Sequence, residues 1–491
     1  MTDLTSGAPS PAPRRTAGDT ALYRAVWRWH FYAGLLVLPF VILLSVTGGL
    51  YLFKDEINDL LHGDLRIVEA RDAAPLPASA LVSAALVAHP GEARGMLPAP
   101  APDRSAAVKV RGEDGETRLV YVNPYDGQVL GALRDGGSAG SPEMWTIRKL
   151  HSLALLGWGG ERMVEAAAGW ILMLCVTGIY LWWPRGRGLG VFRLRRGAVG
   201  RPFWRDLHAV TGAWAGLVVV FLALSGLPWS GFWSAKFYET ADALGMGMPS
   251  GYWGNYPQST PTQGEVLDRT PWLLEQAPMP ASSAPAGDHA GHADHAGHGD
   301  HGGHGDAPMA SAPLPAVEGV PAGLDQVVAT LEGRGLHPGY ALNFPAGETG
   351  VFTGSVYPDD ITREQVIHVD RYSGEVLFDM GLADLGALGA AAEWGVSIHM
   401  GQAFGRANQL LMLAACLGLL TMAVAAAAMW WKRRPAGGLG APRPPRDWRA
   451  PRAVLAIGAI CCVLFPLTGL SLLVVLALDL ALPSGLRARV A

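Results

Sequence analysis

The stretch WRWHFYAGLLVLPFVILLSVTGGLYLF at residues 27–53 decides the fold class of this chain. A helix needs about 20 apolar residues to cross roughly 30 Å of hydrocarbon, and this run is long enough. The charged residues Lys54, Asp55 and Glu56 follow it directly, where a signal peptide would have small residues for cleavage. The run is therefore predicted to remain as a membrane-spanning helix.

Four further apolar runs have the same character, and half of the chain is hydrophobic while only 16% is charged. This balance, with a mean hydropathy of +0.21, excludes a simple soluble globular protein. A formal net charge of -4 provides no basic surface, so nucleic acid is not expected as a partner. The chain is predicted to be a polytopic α-helical membrane protein with spans near residues 28–53, 161–183, 204–233, 407–431 and 453–482.

Basic residues cluster in the short segments between the apolar runs. Residues 185–205 contain seven Arg, and residues 432–452 contain six Arg and one Lys. The long segments differ, since residues 54–145 hold 14 acidic and 9 basic side chains and residues 234–394 hold 21 acidic and 5 basic. Because short cytoplasmic loops carry an excess of Lys and Arg, we expect the N-terminus and both basic segments in the cytoplasm and the long segments outside.

The chain repeats one pattern of histidines and small residues. At equal offsets in the two halves, His30 is followed by Gly34 and Gly48, and His208 by Gly212 and Gly226. In the same way, His151 is followed by Gly157 and the pair Trp182-Trp183, and His399 by Gly405 and the pair Trp430-Trp431. VNPYDGQVL at residues 122–130 also matches VDRYSGEVL at 369–377, and both predict a strand, a turn and a strand. Each half is therefore predicted to be a helix, an external domain and a second helix.

The four repeated histidines all lie at the beginnings of predicted spans. An imidazole near a membrane is costly without a partner; a single one can simply face water, but four at repeated offsets favour a shared role. The predicted topology places His30 and His208 at the cytoplasmic side, and His151 and His399 at the external side. Two facing imidazoles suit the axial positions of a b-type haem, whereas zinc wants three or four ligands. We therefore predict two b-type haems in a four-helix bundle.

Residues beside these histidines fit a porphyrin. Gly34 and Gly212 lie one helical turn after a histidine, where a flat ring could lie against bare backbone, although glycine also serves close helix packing in membranes. Arg28, Arg205 and Arg148 lie within three positions of the ligands, where a cation can pair with haem propionates. For the first two, the bias of cytoplasmic loops toward basic residues is an equally good explanation.

The second helix of the first half is unusually long. A continuous helix from His151 to Trp182 would have a length of about 46 Å, which exceeds what the bilayer needs. The external haem is therefore expected at or above the membrane surface.

Taken together, the W-R-W-H-x3-G, K-L-H-S-L, D-L-H-A-x-T-G and S-I-H-M-G elements, with two external domains, resemble the PepSY-associated transmembrane family. Siderophore-iron reductases of bacterial inner membranes are similar in plan. The resemblance covers nearly the whole chain except the N-terminal tail, a His-rich insertion and the fifth apolar run. It implies haem held by membrane-helix histidines, and electrons passed outward to reduce a ferric siderophore or another ferric chelate in the periplasm.

With this resemblance, the predicted fold is a pair of duplicated helix, PepSY-like α+β domain, helix units that form a four-helix haem-binding bundle, followed by a fifth C-terminal helix. The predicted segments are a cytoplasmic tail at 1–27, a span at 28–53, a periplasmic domain at 54–145, an interface segment and span at 146–184, a cytoplasmic loop at 185–202, a span at 203–233, a second periplasmic domain at 234–394, an interface segment and span at 395–431, a cytoplasmic loop at 432–452 and a span at 453–482.

A low-complexity insertion at about 249–315 interrupts the second half. It is rich in Pro, Gly, Ala and His, has few large apolar residues, and is predicted to be disordered. Its histidines recur at every third position, and imidazole suits Zn, Cu and Ni, so weak binding of these metals is expected; a solvated linker with incidental affinity is the alternative. The candidate metal ligands are His289, His292, His295, His298, His301 and His304.

No Rossmann motif in a strand and helix context accompanies these elements, so electrons are expected from a membrane quinol or a separate cytoplasmic reductase. The leading hypothesis is a haem-dependent ferric reductase, an oxidoreductase of the bacterial inner membrane. The alternatives are a PepSY-type periplasmic binding or regulatory protein and a metal-handling transporter, neither with redox activity. A visible spectrum of the purified protein separates the first hypothesis from the others.

Overall fold

The computed structural model describes residues 17–183, 192–247, 258–267, 277–282, 318–434, 459–460 and 462–481. The chain divides into two compact units. The helical unit comprises residues 1–53, 146–240 and 394–491, and the sheet unit comprises residues 54–145 and 241–393.

In chain order, the α-helices of the described residues are α1 (Ala17–Tyr51), α2 (Lys54–Arg66), α3 (Ala78–Ala88), α4 (Pro142–His151), α5 (Trp158–Trp182), α6 (Gly200–Gly226), α7 (Gly231–Ala243), α8 (Gln263–Val266), α9 (Leu324–Gly333), α10 (Ala387–His399), α11 (Arg406–Arg433) and α12 (Pro466–Ala481).

Four helical segments are long and apolar enough to cross a membrane: Leu22–Tyr51, Trp158–Trp182, Gly200–Trp229 and Arg406–Arg433. They coincide closely with the first four predicted spans, except that the first begins at Leu22 rather than near residue 28. The protein is therefore polytopic in the membrane. Helix α1 packs against α5 and α11, and α6 packs against the same two helices, so α1 and α6 lie diagonally opposite each other in a four-helix bundle.

The fifth apolar run differs from the prediction of one span over 453–482. Its described part bends at Phe465, and α12 begins at Pro466 because proline fits the first turn of a helix but interrupts one already under way. At 16 residues, α12 is about 24 Å long. It packs along α5, where Trp170 Nε1 donates to Ser471 Oγ at 2.9 Å and Thr468 Oγ1 donates to the Ala166 carbonyl at 3.1 Å.

The long continuous helix predicted from His151 onward is wrong. Helix α4 ends at His151, a 3-10 turn follows at Ala154–Leu156, and α5 begins at Trp158. The backbone at Leu153 and Gly157 has φ of +52° and +65°, a left-handed conformation that a helix cannot contain. Because the helix is broken, its length does not place the external haem at or above the membrane surface.

The second half is interrupted in the same way. Helix α10 ends at His399 and α11 begins at Arg406, with φ of +62° at Phe404 and +60° at Gly405. Asn408 Nδ2 donates to the Ile398 carbonyl at 3.0 Å, so a side chain of α11 satisfies an end carbonyl of α10 across the break. Both His151 and His399 therefore stand at the ends of short helices.

The strands of the sheet unit are also named in chain order. They are β1 (Glu92–Leu97), β2 (Ala106–Arg111), β3 (Thr117–Val122), β4 (Val129–Arg134), β5 (Gln258–Thr262), β6 (Pro278–Pro280), β7 (Ala341–Asn343), β8 (Phe352–Val356), β9 (Gln365–Val369) and β10 (Val376–Gly381).

Eight of these strands form one antiparallel sheet in the order β10-β9-β8-β7-β1-β2-β3-β4. The two external domains predicted as separate therefore share a single sheet, joined where Gly95 and Met96 of β1 pair with Asn343 and Leu342 of β7. Glycine is required at position 95, because a Cβ there would meet the Leu342 carbonyl oxygen at 2.5 Å. Helices α3 and α9 supply core side chains that pack on this sheet.

The predicted strand, turn and strand elements are confirmed in both halves. Each turn has glycine in the left-handed region, with φ of +72° at Gly127 and +71° at Gly374. The turns are closed alike, since Asn123 Oδ1 accepts from the Tyr125 amide and Asp370 Oδ1 accepts from the Tyr372 amide.

Part of the segment predicted to be disordered is folded. Strands β5 and β6 pair antiparallel within residues 249–315, and Leu267 and Met279 pack with Val351 of the sheet unit. The average composition of the segment does not reveal these two packed positions. The six histidines from His289 to His304 lie outside the described residues.

Candidate functional site

The four repeated histidines meet in two pairs inside the helical unit. The rings of His30 and His208 have centroids 6.4 Å apart and planes at 86°, and those of His151 and His399 have centroids 6.5 Å apart and planes at 88°. These are the pairs that the predicted topology gives. His30 on α1 and His208 on α6 face each other across the diagonal of the bundle, whereas the other pair is carried by the ends of α4 and α10.

Each imidazole is anchored through Nδ1. In the second pair, His151 Nδ1 lies 2.9 Å from Thr47 Oγ1, and His399 Nδ1 lies 2.9 Å from Ser225 Oγ. In the first pair, His30 Nδ1 lies 2.9 Å from Thr177 Oγ1, and His208 Nδ1 lies 3.0 Å from the Met422 carbonyl oxygen. All four anchoring groups belong to the spanning helices, and none of them was predicted from the sequence.

The direction of these hydrogen bonds depends on the second hydrogen bond that each hydroxyl makes, to a carbonyl of its own helix. Thr47 Oγ1 donates to the Leu43 carbonyl at 2.6 Å. Thr177 donates likewise to the Met173 carbonyl, and Ser225 to the Phe221 carbonyl, at 2.8 Å in each case. The Met422 carbonyl can only accept from His208, and a hydroxyl whose one proton is used on the helix carbonyl accepts from its imidazole in the same way.

This use of the hydroxyl protons assigns the proton of all four imidazoles to Nδ1. The Nε2 atom is left with a free lone pair, which is the protonation state in which histidine binds a metal. The acceptor at Nδ1 also holds the ring orientation, as the outer partners of metal-bound histidines do.

The spacing of the rings fits one metal between each pair. An imidazole nitrogen binds a transition metal at about 2.0–2.1 Å and lies roughly 1.1 Å from the centre of its own ring, so two imidazoles on opposite sides of one metal have centroids roughly 6.3 Å apart. The observed values are 6.4 and 6.5 Å. Each histidine pair would hold a metal that brings its remaining ligands with it, as a haem iron does.

Glycines make room for three of the rings. A Cβ at Gly48 would lie 3.1 Å from His151 Cε1, one at Gly178 would lie 3.4 Å from His30 Cε1, and one at Gly226 would lie 3.6 Å from His399 Cε1. The repeated glycines at 48 and 226 thus let the rings pack against bare backbone.

The two glycines predicted to face a porphyrin differ from each other. No described atom lies within 4 Å of the position a Cβ would take at Gly34, so the helix face there is open. At Gly212 the same position is 3.2 Å from the Met422 methyl carbon. Only Gly34 therefore leaves space for a flat group as the structure stands.

The predicted cations also differ in what they contact. Arg205 Nη2 donates to Asp206 Oδ1 at 2.7 Å, so its charge is already paired. Arg28 lies with Cζ 5.2 Å from the centre of the Tyr32 ring, and Arg148 is in the last turn of α4, as is His151. A further cation, Arg433, lies over the rings of Trp27 and Phe31, which precede and follow His30 in the chain. The sequence predicted Arg433 only as part of a basic segment.

Within the part of the chain that the structure describes, no group of three or more His, Cys, Asp or Glu side chains could hold a metal ion. The paired histidines are thus the candidate site of the described residues, and they suit a group that brings its own equatorial ligands.

Comparison with known proteins agrees with this architecture. A family model for the PepSY-associated TM region matches residues 27–433, which extends from the turn before His30 to the end of α11. Among curated proteins no relative matches the chain. The family match covers most of the chain and contains all four histidines, so this chain belongs to the PepSY-associated transmembrane family.

Proposed function

We propose that this protein is a transmembrane oxidoreductase that holds two b-type haems and reduces a ferric siderophore or another ferric chelate, releasing Fe²⁺. The observation that carries the proposal is the pair of facing imidazole sets, each with Nδ1 anchored and Nε2 directed away from that anchor. The family match supports a membrane protein of this plan.

The residues would have these roles. His30 and His208 would hold one haem and His151 and His399 the other, and their Nδ1 protons would stay on the hydroxyl or carbonyl acceptors throughout. A bound haem iron supplies one-electron chemistry, in which it alternates between ferric and ferrous states. Reduction of one Fe³⁺ in the chelate consumes one electron, and hard oxygen donors hold the Fe²⁺ product less tightly.

The distance between the two pairs supports transfer across a membrane. His30 and Thr47, the anchor of His151, lie on the same helix, and the rise between them is about 26 Å along its axis. His208 and Ser225, the anchor of His399, have the same separation on α6. Because the hydrocarbon layer is roughly 30 Å thick, the two pairs lie near opposite ends of the spans.

The direction of transfer is part of the proposal. The basic segments near α1, α6 and α11 favour a cytoplasmic location for the His30 and His208 end, with electrons supplied by a membrane quinol or a cytoplasmic reductase. The sheet unit would then lie in the periplasm of a bacterium, where a chelate too polar for lipid could be reduced without being transported.

The test is the haem content of the purified protein and of single variants. Pyridine haemochrome analysis should give two haems per chain. His30→Ala and His208→Ala should remove one spectral component, and His151→Ala and His399→Ala the other, while His337→Ala, whose Nδ1 lies 2.7 Å from the Pro338 carbonyl oxygen in the sheet unit, should retain both. Stopped-flow reoxidation of the reduced protein by a ferric siderophore then tests the acceptor. Absence of haem from protein made in haem-supplied cells would overturn the proposal.

A further inference from the structure

Arg433 ends α11, and its guanidinium lies between two aromatic rings of α1. Its Cζ atom is 5.0 Å from the centre of the Trp27 ring and 4.8 Å from that of Phe31. Trp27 precedes His30 by one helical turn and Phe31 follows it directly, so the cation lies beside the turn of α1 that carries a proposed haem ligand.

The two rings hold the charge without satisfying its hydrogen-bond donors. Cation–π attraction places the charge over the ring faces and supplies no oxygen acceptor for the N–H groups. Among the described residues, Nε and Nη2 of Arg433 are both buried and have no hydrogen-bond partner. A buried charged donor left unpaired is costly, so a missing acceptor is expected here.

The two unpaired donors, Nε and Nη2, indicate the chemical class of acceptor that fits Arg433. Nε–H and the adjacent Nη2–H are parallel and form one edge of the guanidinium, which matches the two oxygens of a carboxylate or phosphate. The same chain uses this edge at another site, where Arg195 donates from Nε to Asp206 Oδ2 at 2.6 Å and from Nη2 to Asp206 Oδ1 at 3.1 Å. No described carboxylate of the protein occupies the corresponding position at Arg433.

We propose that the Nε and Nη2 edge of Arg433, held between Trp27 and Phe31, binds a propionate carboxylate of the haem held by His30 and His208. This inference rests on the proposed haem function and adds a residue to it. The phosphate of a bound lipid has the same recognition chemistry, and the experiment separates the two sources.

The test compares Arg433→Gln with Arg434→Gln. Arg434 is the matched control because it is the next residue, is exposed, and also lies over aromatic rings, with Cζ 3.5 Å from the centre of the Trp431 ring. Arg433→Gln should weaken retention of the His30 and His208 haem by about tenfold and lower its reduction potential, because a nearby positive charge favours the reduced state. Arg433→Lys should recover part of the potential but less of the retention, since lysine lacks the paired edge.

Three measurements decide the outcome: haem retained after repeated detergent exchange, a spectroelectrochemical titration of each haem, and the phosphorus content of co-purified lipid. If Arg433→Gln changes haem retention and potential while bound phosphorus is unchanged, the assignment is supported. If it loses phosphorus while the haem behaves as in Arg434→Gln, the anion is a lipid and the assignment is overturned. A wild-type protein without haem would overturn both proposals, whereas two intact haems that respond alike to both variants would overturn this one alone.

Discussion

The hydrogen bond between Thr47 and His151 offers the sharpest perturbation of the site. Thr47→Val keeps the shape of the side chain and removes only the oxygen that accepts from His151 Nδ1 at 2.9 Å. The imidazole then has a buried N–H without an acceptor, which costs about 1–3 kcal/mol. Loss of such an outer partner typically lowers metal affinity roughly 10–100-fold, and a factor of ten corresponds to about 1.4 kcal/mol, so the two estimates agree.

The variant is therefore expected to bind the haem of His151 and His399 about 10–100-fold more weakly, with the haem of His30 and His208 unchanged. An imidazole that no longer donates from Nδ1 is also a weaker electron donor through Nε2, so the reduction potential of the remaining haem at this pair should rise. Titration of haem into the haem-depleted protein measures the first effect, and spectroelectrochemistry measures the second.

Thr421→Val is the matched control. Thr421 also donates its hydroxyl proton to the carbonyl one turn earlier, that of Leu417, at 2.8 Å, but this hydrogen bond is exposed and no described histidine is bonded to the hydroxyl. The substitution therefore changes helix chemistry in the same way without touching an imidazole. If Thr47→Val and Thr421→Val had the same haem affinity and potential, the anchoring role derived from the geometry would be refuted.

Two further predictions concern packing and charge. Gly48→Ala should displace the His151 ring, because the added Cβ would lie 3.1 Å from Cε1, and the variant should lose the haem of that pair in a haemochrome assay while Gly216→Ala, where no described atom lies within 4 Å, keeps it. Burial and the nearby Glu393 raise the pKa of Glu364 well above its ordinary value. When the pKa of a group is higher in the folded state than in the unfolded state, its contribution to stability is fully present below the unfolded-state pKa and is lost as pH rises through the folded-state pKa. Glu364→Gln removes this titration, so it should raise the unfolding temperature more at about pH 8 than at about pH 5. An equal gain at both pH values would contradict this cause.

Features that depend on short stretches of the chain could be predicted from the sequence. Four of the five predicted spans are found among the described residues, because a membrane imposes a recognisable length and composition on apolar runs. The glycines of the two strand turns were identifiable because a tight turn needs their left-handed backbone, which is found at Gly127 and Gly374. The pairing of the histidines required only the alternation of helix direction between successive spans.

Features that depend on contacts distant in the chain were not predictable in this way. The pairing of β1 with β7 joins strands from opposite halves of the chain, and no local pattern specifies which edges of two similar sheets meet. The hydroxyl partners of the histidines were not predicted for a different reason. Thr47 follows His30 at the same offset as Ser225 follows His208, so the repeat includes both hydroxyls. However, a Thr or Ser in a membrane helix usually bonds to its own backbone, and its position alone therefore does not indicate a histidine partner.

The two histidine pairs differ in how firmly the fold holds them. His30 and His208 belong to spanning helices of 35 and 27 residues, whose backbone hydrogen bonds fix the ligands directly. His151 and His399 stand at the ends of helices of 10 and 13 residues, and left-handed backbone conformations separate each of them from the span that follows. Segments with few backbone constraints open locally at lower free energy. The hydroxyls of Thr47 and Ser225 therefore tie two short helices to the rigid helices α1 and α6, so the second pair should be the more sensitive of the two to loss of a single hydrogen bond.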